Sequence, residues 1–202
     1  MSLSAPRSGR TRVAIIAALA LGAVFPAGAE AVGNDCPTQD ASQAFLPWND
    51  PAWYELAPNG GFESGATGWT LSGGAAVQDG NETYQVGGDG DASSLALPDG
   101  AAATTARICI DVAHPTIRLF ARNEGSPSGT LQVSVLYRGP LGIWLSLPIG
   151  AIGGGSDWAP TAPIPVVVNL LTLLSDSEAV FRFEADSGDW SIDDVYIDPY
   201  SK

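Results

Sequence analysis

The chain has 202 residues, of which 22 are acidic and only nine are lysine or arginine, so its formal net charge is −13. An acidic surplus of this size argues against binding to nucleic acid or to an anionic lipid surface, because both reward clustered basic side chains. Hydrophobic residues make up 45% of the sequence, and the acidic residues are dispersed along it, which indicates a folded domain and not an acidic disordered tail.

The N-terminus, residues 1–29, has the three parts of a secretory signal peptide. Three arginines form a positive segment, the apolar run 13–24 follows, and Ala27-Gly28-Ala29 is a small-x-small cleavage site. The apolar run is shorter than the roughly 20 residues that span a bilayer. We therefore expect export, to the outside of the cell or to a periplasm if the source has an outer membrane, with no membrane association after cleavage. An uncleaved N-terminal anchor is the alternative.

The mature chain, residues 30–202, has the length of one domain. The excised segment holds three of the nine basic residues and none of the 22 acidic ones, so the mature formal charge is −16.

Cys36 and Cys109 are the only two cysteines. In an exported protein an isolated pair is most simply one disulfide, which here would tie the N-terminal segment to the middle of the domain. The chain-entropy estimate for a loop of about 74 residues is a stabilisation of about 4 kcal/mol. Two free thiols are the alternative, and no Cys-x-x-Cys or histidine cluster indicates a metal.

Residues 30–58 are loop-rich, and we expect them to form a lead-in that the disulfide pins to a domain at 59–202. In that domain, short β-branched, aromatic and aliphatic runs alternate with Gly/Pro turns, which predicts strands. We therefore expect an all-β fold, a two-sheet antiparallel β-sandwich. Residues 160–165 read as an extended connection, and 166–174 fits either a strand or a short helix. The predicted strands are 69–71, 102–112, 116–123, 131–137, 143–147, 179–184 and 190–197.

Two motifs lie at opposite ends of the region 59–197. The opening motif reads Asn59-Gly60-Gly61-Phe62-Glu63-Ser64-Gly65 and is followed by Gly68-Trp69. The closing motif reads Trp190-Ser191-Ile192-Asp193-Asp194-Val195-Tyr196-Ile197. In this order the pair resembles the carbohydrate-binding modules of the galactose-binding-like jelly-roll fold. The resemblance implies a jelly-roll sandwich, and it is more specific for fold than for sugar binding.

The same resemblance implies one structural calcium ion. In such modules the glutamate of the opening motif and the first aspartate of the closing motif commonly hold this ion, which corresponds to Glu63 and Asp193, with Asp194 as the second choice. The first and last strands of a jelly roll lie close together, and calcium takes about six to eight oxygen ligands. In the alternative, Glu63 caps a turn and the two aspartates accept backbone hydrogen bonds in a tight corner.

Sugar-binding faces need exposed aromatic rings with polar groups alongside. Trp69 and Trp190 lie inside the motifs, and we expect them in the core. Trp144 and Tyr84 are the favoured ligand-binding side chains, with local packing as the alternative for each. The other loop or outward-facing aromatic residues are Trp48, Trp53, Tyr54 and Trp158.

Patterns for catalysis are weak. His114 is the only histidine, and the chain lacks a Gly-x-Ser-x-Gly nucleophile elbow. The run Gly87-Gly88-Asp89-Gly90-Asp91 lacks the spacing of an EF-hand loop, so a flexible hairpin tip is expected there.

We therefore expect a secreted, non-catalytic binding module whose partner is an extracellular or cell-wall glycan. The first alternative is a structural or adhesive surface protein without a small ligand. The second is a small glycan hydrolase that uses two carboxylates, since 22 acidic residues always permit some pair at the required separation.

Overall fold

The computed structural model describes residues 40–110, 115–139, 141–167 and 178–198. The expected signal peptide at 1–29, Cys36 and His114 lie outside the described residues, as does most of the ambiguous segment 166–174. No helix in the described part of the chain has the length and apolar character needed to cross a membrane.

The described residues form two antiparallel sheets and one 3₁₀ turn at Leu46–Trp48, with no α-helix. The prediction of an all-β, two-sheet antiparallel sandwich is confirmed. The strands are β1 (Ala41–Ser42), β2 (Tyr54–Leu56), β3 (Thr70–Ser72), β4 (Ala76–Asp79), β5 (Ser93–Leu97), β6 (Ala102–Thr104), β7 (Ile108–Cys109), β8 (Thr116–Asn123), β9 (Thr130–Arg138), β10 (Trp144–Ile152), β11 (Ala159–Pro160), β12 (Ile164–Pro165), β13 (Glu178–Ser187) and β14 (Trp190–Ile197).

Sheet I is built around β14. Strand β8 pairs along one edge of β14, while β5 pairs with its beginning at Trp190–Ile192 and β2 with its end at Tyr196–Ile197. Strands β1 and β4 extend this sheet beyond β2 and β5, and β11 and β12 pair with the outer edge of β8. The residues between the β5 and β2 pairings, 193–195, therefore face a gap in the sheet.

Sheet II has the order β10-β9-β13-β6-β3, and β7 also pairs with β13. The single strand predicted at 102–112 is wrong, because β6 and β7 are separate. Thr104 pairs with Arg182, and Ile108 pairs with Ala179. The segment between Thr104 and Ile108 therefore has one residue more than the segment of β13 that it faces. Such an extra residue breaks the ladder in the manner of a β-bulge.

The core lies between the sheets and follows the strand alternation. Leu131, Val133 and Val135 of β9 point inward against Phe181 and Phe183 of β13 and are fully buried. Trp69 and Trp190 are 7% and 1% exposed and belong to this core, which confirms the packing role predicted for them.

A second hydrophobic cluster covers the outer face of sheet I. Phe45 stacks on Phe120 of β8 with ring centroids 5.4 Å apart, and Tyr54 packs edge-on against Phe45 at 4.9 Å. Beside them, Arg118 is buried and donates to Asp50 Oδ2 at 2.6 Å. Residues 44–54 therefore shield side chains that strand alternation alone would leave in solvent.

Candidate functional site

The opening and closing motifs meet at the gap in sheet I. The amide of Ala57 donates to Val195 O at 2.8 Å, and the amide of Val195 donates to Gly60 O at 3.2 Å. A Cβ at Gly60 would lie 2.7 Å from Val195 O, so this approach requires glycine. The next residue, Gly61, is thereby held against Asp194, where a Cβ would lie 3.1 Å from Asp194 Oδ1.

Three buried carboxylates converge at this junction. Glu82, Asp91 and Asp194 each offer an oxygen, and these oxygens lie within 4.8 Å of one another. Asp194 lies on β14, whereas Glu82 and Asp91 belong to the loop between β4 and β5. The three side chains are between 0 and 7% exposed, so water screens their mutual repulsion poorly.

The hydrogen-bond partners of the three carboxylates differ. Both oxygens of Glu82 accept backbone amides, from Tyr84 and from Val86. Both oxygens of Asp194, and Oδ2 of Asp91, are buried and lack a well-aligned hydrogen-bond donor in the described part of the chain, although the nearby Gly87 amide lowers the pKa of Asp194 in part. Leaving buried carboxylate oxygens without a partner is costly. Their number and oxygen chemistry fit a hard divalent cation such as calcium.

The electrostatics of the three carboxylates also favour a bound cation. Burial raises the pKa of Asp194 to about 7, and the neighbouring carboxylates Asp91 and Glu82 add to the rise. Burial also raises the pKa of Asp91, to which the charge of Glu63 contributes. A cation at the centre would offset this repulsion and favour the ionised forms.

The two residues predicted to hold the ion lie beside the cluster. Glu63 is exposed, and its Oε1 accepts the amides of Ala92 at 2.8 Å and Ser93 at 2.7 Å. Asp193 is fully buried, with Oδ1 on the amide of Asp194 at 2.8 Å and Oδ2 on the amide of Glu82 at 2.9 Å. Both side chains make backbone hydrogen bonds of the kind expected in the alternative interpretation. Their role as metal ligands stays a prediction.

The sequence interpretation missed Glu82 and Asp91. The run 87–91 does lie in a hairpin connection, between the paired strands β4 and β5. It is not a simple solvent-exposed tip, however, because Asp91 is only 7% exposed. Gly87 approaches so closely that a Cβ there would lie 2.9 Å from Asp91 Cγ. The glycines at positions 87, 88 and 90, which precede Asp91 and permit a close backbone approach, were the available signal.

The two predicted ligand-binding aromatic residues lie on different sheets. Tyr84 is 48% exposed, packs edge-on against Trp48 at 4.8 Å and donates its hydroxyl to Trp158 O at 3.1 Å. Tyr84 therefore lies beside the hydrophobic cluster that covers the outer face of sheet I. Trp144 is half-buried on β10 of sheet II, and no described aromatic contact joins it to Tyr84.

Trp144 belongs to the outer face of sheet II. It pairs with Arg138 across β10 and β9, and the guanidinium carbon of Arg138 lies 5.6 Å from its ring centroid. The guanidinium carbon of Arg107 lies 5.4 Å from the same centroid. Strand registers put further half-buried side chains of β9 and β13 on this face. They are Gln132, Ser134, Leu136, Val180, Arg182 and Glu184.

A cleft of about 390 Å³ lies between β10 and residues 159–165. Its lining is apolar side chains and backbone, with Thr161 as its single polar side chain and no carboxylate among the described residues. The tryptophan on the lining, Trp190, is 1% exposed, which leaves no ring surface for stacking. None of the predicted ligand or metal residues lies in this cleft.

No protein-family model matches the chain, and no curated protein matches it. Solved structures match it in fold. The CBM22-1–CBM22-2 tandem of Paenibacillus barcinonensis Xyn10C has a TM-score of 0.50 and 14% identity, covering 72% of this chain and 43% of that one. A xylan-binding domain from CBM 22 has a TM-score of 0.47 and 18% identity, covering 76% and 99%.

The enzymatically active domain of bacteriophage CBA120 tailspike protein 4 has a TM-score of 0.48 and 17% identity, covering 70% of this chain and 21% of that one. The chain thus spans about a fifth of the tailspike domain and less than half of the CBM22 tandem. The structural neighbours include carbohydrate-binding modules with a β-sandwich fold, so the resemblance inferred from the two motifs is confirmed for the fold.

Proposed function

We propose that the mature chain is a secreted, non-catalytic module that binds an extracellular or cell-wall glycan on the outer face of sheet II. The observation that carries this proposal is Trp144, a half-buried indole on a sheet face that is otherwise mainly polar. The apolar C–H groups of a sugar ring stack on such an indole, while the hydroxyl groups need donors and acceptors nearby. Arg107 and Arg138 beside the ring, and Glu178 paired with Arg107, offer them.

Tyr84 fits a ligand-binding role less well. Its ring contacts Trp48 and Phe120, and its hydroxyl is already bonded to Trp158 O. By comparison, the two guanidinium groups near Trp144 lie 5.4 and 5.6 Å from the ring centroid. The close stack of Arg118 on Phe45 measures 4.0 Å, so the indole is covered less tightly than that ring.

The proposal includes one structural calcium ion held by Glu82, Asp91 and Asp194, with Glu63 at the rim. The unpartnered buried oxygens of Asp194 and Asp91 support it. A bound ion would neutralise part of the cluster's charge and tie the β4–β5 loop to β14 and the opening motif. In this proposal it stabilises the fold and takes no part in a reaction.

A glycan-array screen of residues 30–202 tests the function, with Trp144→Ala and Tyr84→Ala as a matched pair. Both variants remove a partly exposed aromatic ring, but from different sheets. We expect reproducible glycan binding that Trp144→Ala abolishes and Tyr84→Ala retains. A blank array from folded protein would overturn the proposal in favour of a structural or adhesive role. Release of sugar from a bound glycan would favour the hydrolase.

A further inference from the structure

The arginines of this acidic protein are unevenly distributed. The described residues contain five, and three of them, Arg107, Arg138 and Arg182, lie on the outer face of sheet II or at its border. The mature chain has a formal charge of −16, so its overall field repels anions. Arg107 and Arg138 flank the ring of Trp144, whereas Arg182 lies further along the same face, opposite Ser134. A local concentration of positive charge at one aromatic ring therefore stands out against the rest of the surface.

Arg138 differs from the other described arginines in its partners. Each of the other four forms an ion pair with a carboxylate. The side chain of Arg138 makes no ion pair or hydrogen bond with the described part of the chain, and its Nε, like that of Arg122, is buried without a partner. Its guanidinium carbon lies 5.6 Å from the ring centroid of Trp144. A guanidinium group in this setting is a ready donor for an incoming carboxylate or sulfate.

The neighbouring ion pairs leave room for an anion. Arg107 and Glu178 are 3.4 Å apart with about half of each side chain exposed, and Arg182 and Glu184 are 3.1 Å apart with comparable exposure. Exposed pairs of this kind contribute little, so Arg107 can turn toward a ligand bound over Trp144. Arg182 lies about 13 Å along the sheet from Arg138, opposite Ser134, and would contact only a longer glycan. The two glutamates bring negative charge to the same face, which disfavours an anionic group placed away from Arg138.

We infer that the glycan recognised by this face is anionic, and that Arg138 binds its acidic group while Trp144 stacks on the sugar ring. This inference rests on the proposed glycan-binding function. The acidic group is a uronic acid carboxylate or a sulfate ester, which a guanidinium recognises by the same forked hydrogen bonds. Recognition of a neutral glycan would leave Arg138 as the one described arginine without an anionic partner.

Calorimetric titration of the mature chain tests the inference with three probes: polygalacturonic acid, its carboxyl-reduced neutral form, and a sulfated galactan. Arg138→Gln removes the proposed contact, and Arg138→Lys keeps the charge without the forked geometry. Arg122→Gln is the matched control, since it makes the same change on sheet I, where Arg122 pairs with Glu124 at 2.6 Å. All measurements are made at one fixed calcium concentration.

We expect an acidic probe to bind, with affinity that falls as salt rises. Arg138→Gln should weaken that binding by about tenfold or more, because hydrogen bonds to charged groups are the stronger ones. Arg138→Lys should fall between the wild type and Arg138→Gln, and Arg122→Gln should bind like the wild type. The two acidic probes distinguish a carboxylate from a sulfate as the recognised group.

Other results would separate this inference from the function on which it rests. Equal, Trp144-dependent binding of the neutral and acidic probes would overturn the anionic ligand and leave glycan binding intact. An equal loss in Arg138→Gln and Arg122→Gln would also overturn the role of Arg138. If no probe binds and the glycan array is blank, the proposed function fails as well.

Discussion

The substitution Asp194→Asn should raise stability without calcium and remove most of the stabilisation that calcium gives to the wild type. Both oxygens of Asp194 are buried without a well-aligned hydrogen-bond donor, and burial raises its pKa from 3.8 to about 7. In calcium-free protein at pH 8 the ionised carboxylate is therefore disfavoured. Asparagine removes the charge, keeps the shape and tolerates the left-handed backbone found here (φ 49°). With calcium present, the same change removes a proposed ligand.

The size of the effect follows from the raised pKa. A shift of about three pKa units corresponds to roughly 4 kcal/mol between the two protonation states, an upper bound for what Asp194→Asn can gain without calcium at pH 8. At about 2–4 °C per kcal/mol for a domain of this size, Tm should rise by at most about 8–16 °C. With 10 mM calcium and a weak extracellular-type site, the wild type should gain roughly 1.5–3 kcal/mol and the variant much less.

Thermal unfolding followed by circular dichroism at pH 8, in chelator and in 10 mM calcium, measures both effects. Asp89→Asn is the matched control, because Asp89 is exposed in the same loop as Asp91 and the charge change is identical. The control should shift Tm little in either buffer. If Asp194→Asn lowers Tm equally with and without calcium, or if calcium leaves the wild-type Tm unchanged, the metal account is wrong.

Three other outcomes are expected. Without calcium, the raised pKa values of Asp194 and its neighbours stabilise the fold at low pH, where these groups are protonated. This contribution is lost as pH rises through about 7. The Tm measured in chelator should therefore fall between pH 5 and pH 8. Gly61→Ala should weaken calcium binding about tenfold in a calorimetric titration, because its Cβ would lie 3.1 Å from Asp194 Oδ1, whereas Gly90→Ala meets open space and should not. Non-reducing mass spectrometry should recover Cys36 and Cys109 as one linked peptide pair, and two alkylatable thiols would contradict the disulfide.

Strand alternation was the most reliable guide to the fold. Strands β8 and β14 begin and end at the residues that their apolar pattern predicts, because each has one face fixed by the core. The strand predicted at 102–112 failed because the break between β6 and β7 depends on pairing with β13. That pairing lies more than 70 residues away, and no local pattern reports it.

The sequence predicted only part of the candidate site, for a related reason. The two motifs predicted that the first and last segments of the domain meet, and the hydrogen bonds between Ala57, Gly60 and Val195 show that they do. Glu82 and Asp91 reach the same place through a loop whose path depends on close backbone approaches such as that of Gly87. Residue types and spacing alone do not specify such a path.

The outer face of sheet I shows the same limit. Arg118 and Phe120 point away from the core, as alternation requires, yet both are buried. Residues 44–54 cover them, and Asp50 supplies the carboxylate that Arg118 needs when water is excluded. The apolar residues of this segment were visible in the sequence, but the surface that they cover was not.

The central claim is that a glycan binds over Trp144 on sheet II. An NMR titration of isotope-labelled residues 30–202 with the best glycan from the array tests it most directly. The account predicts that the largest shift changes occur at the Trp144 indole N–H and at the backbone amides of Arg107 and Arg138, which flank the ring, and that Trp144→Ala removes them. Saturable changes centred on Tyr84, with Trp144 unaffected, would contradict the account.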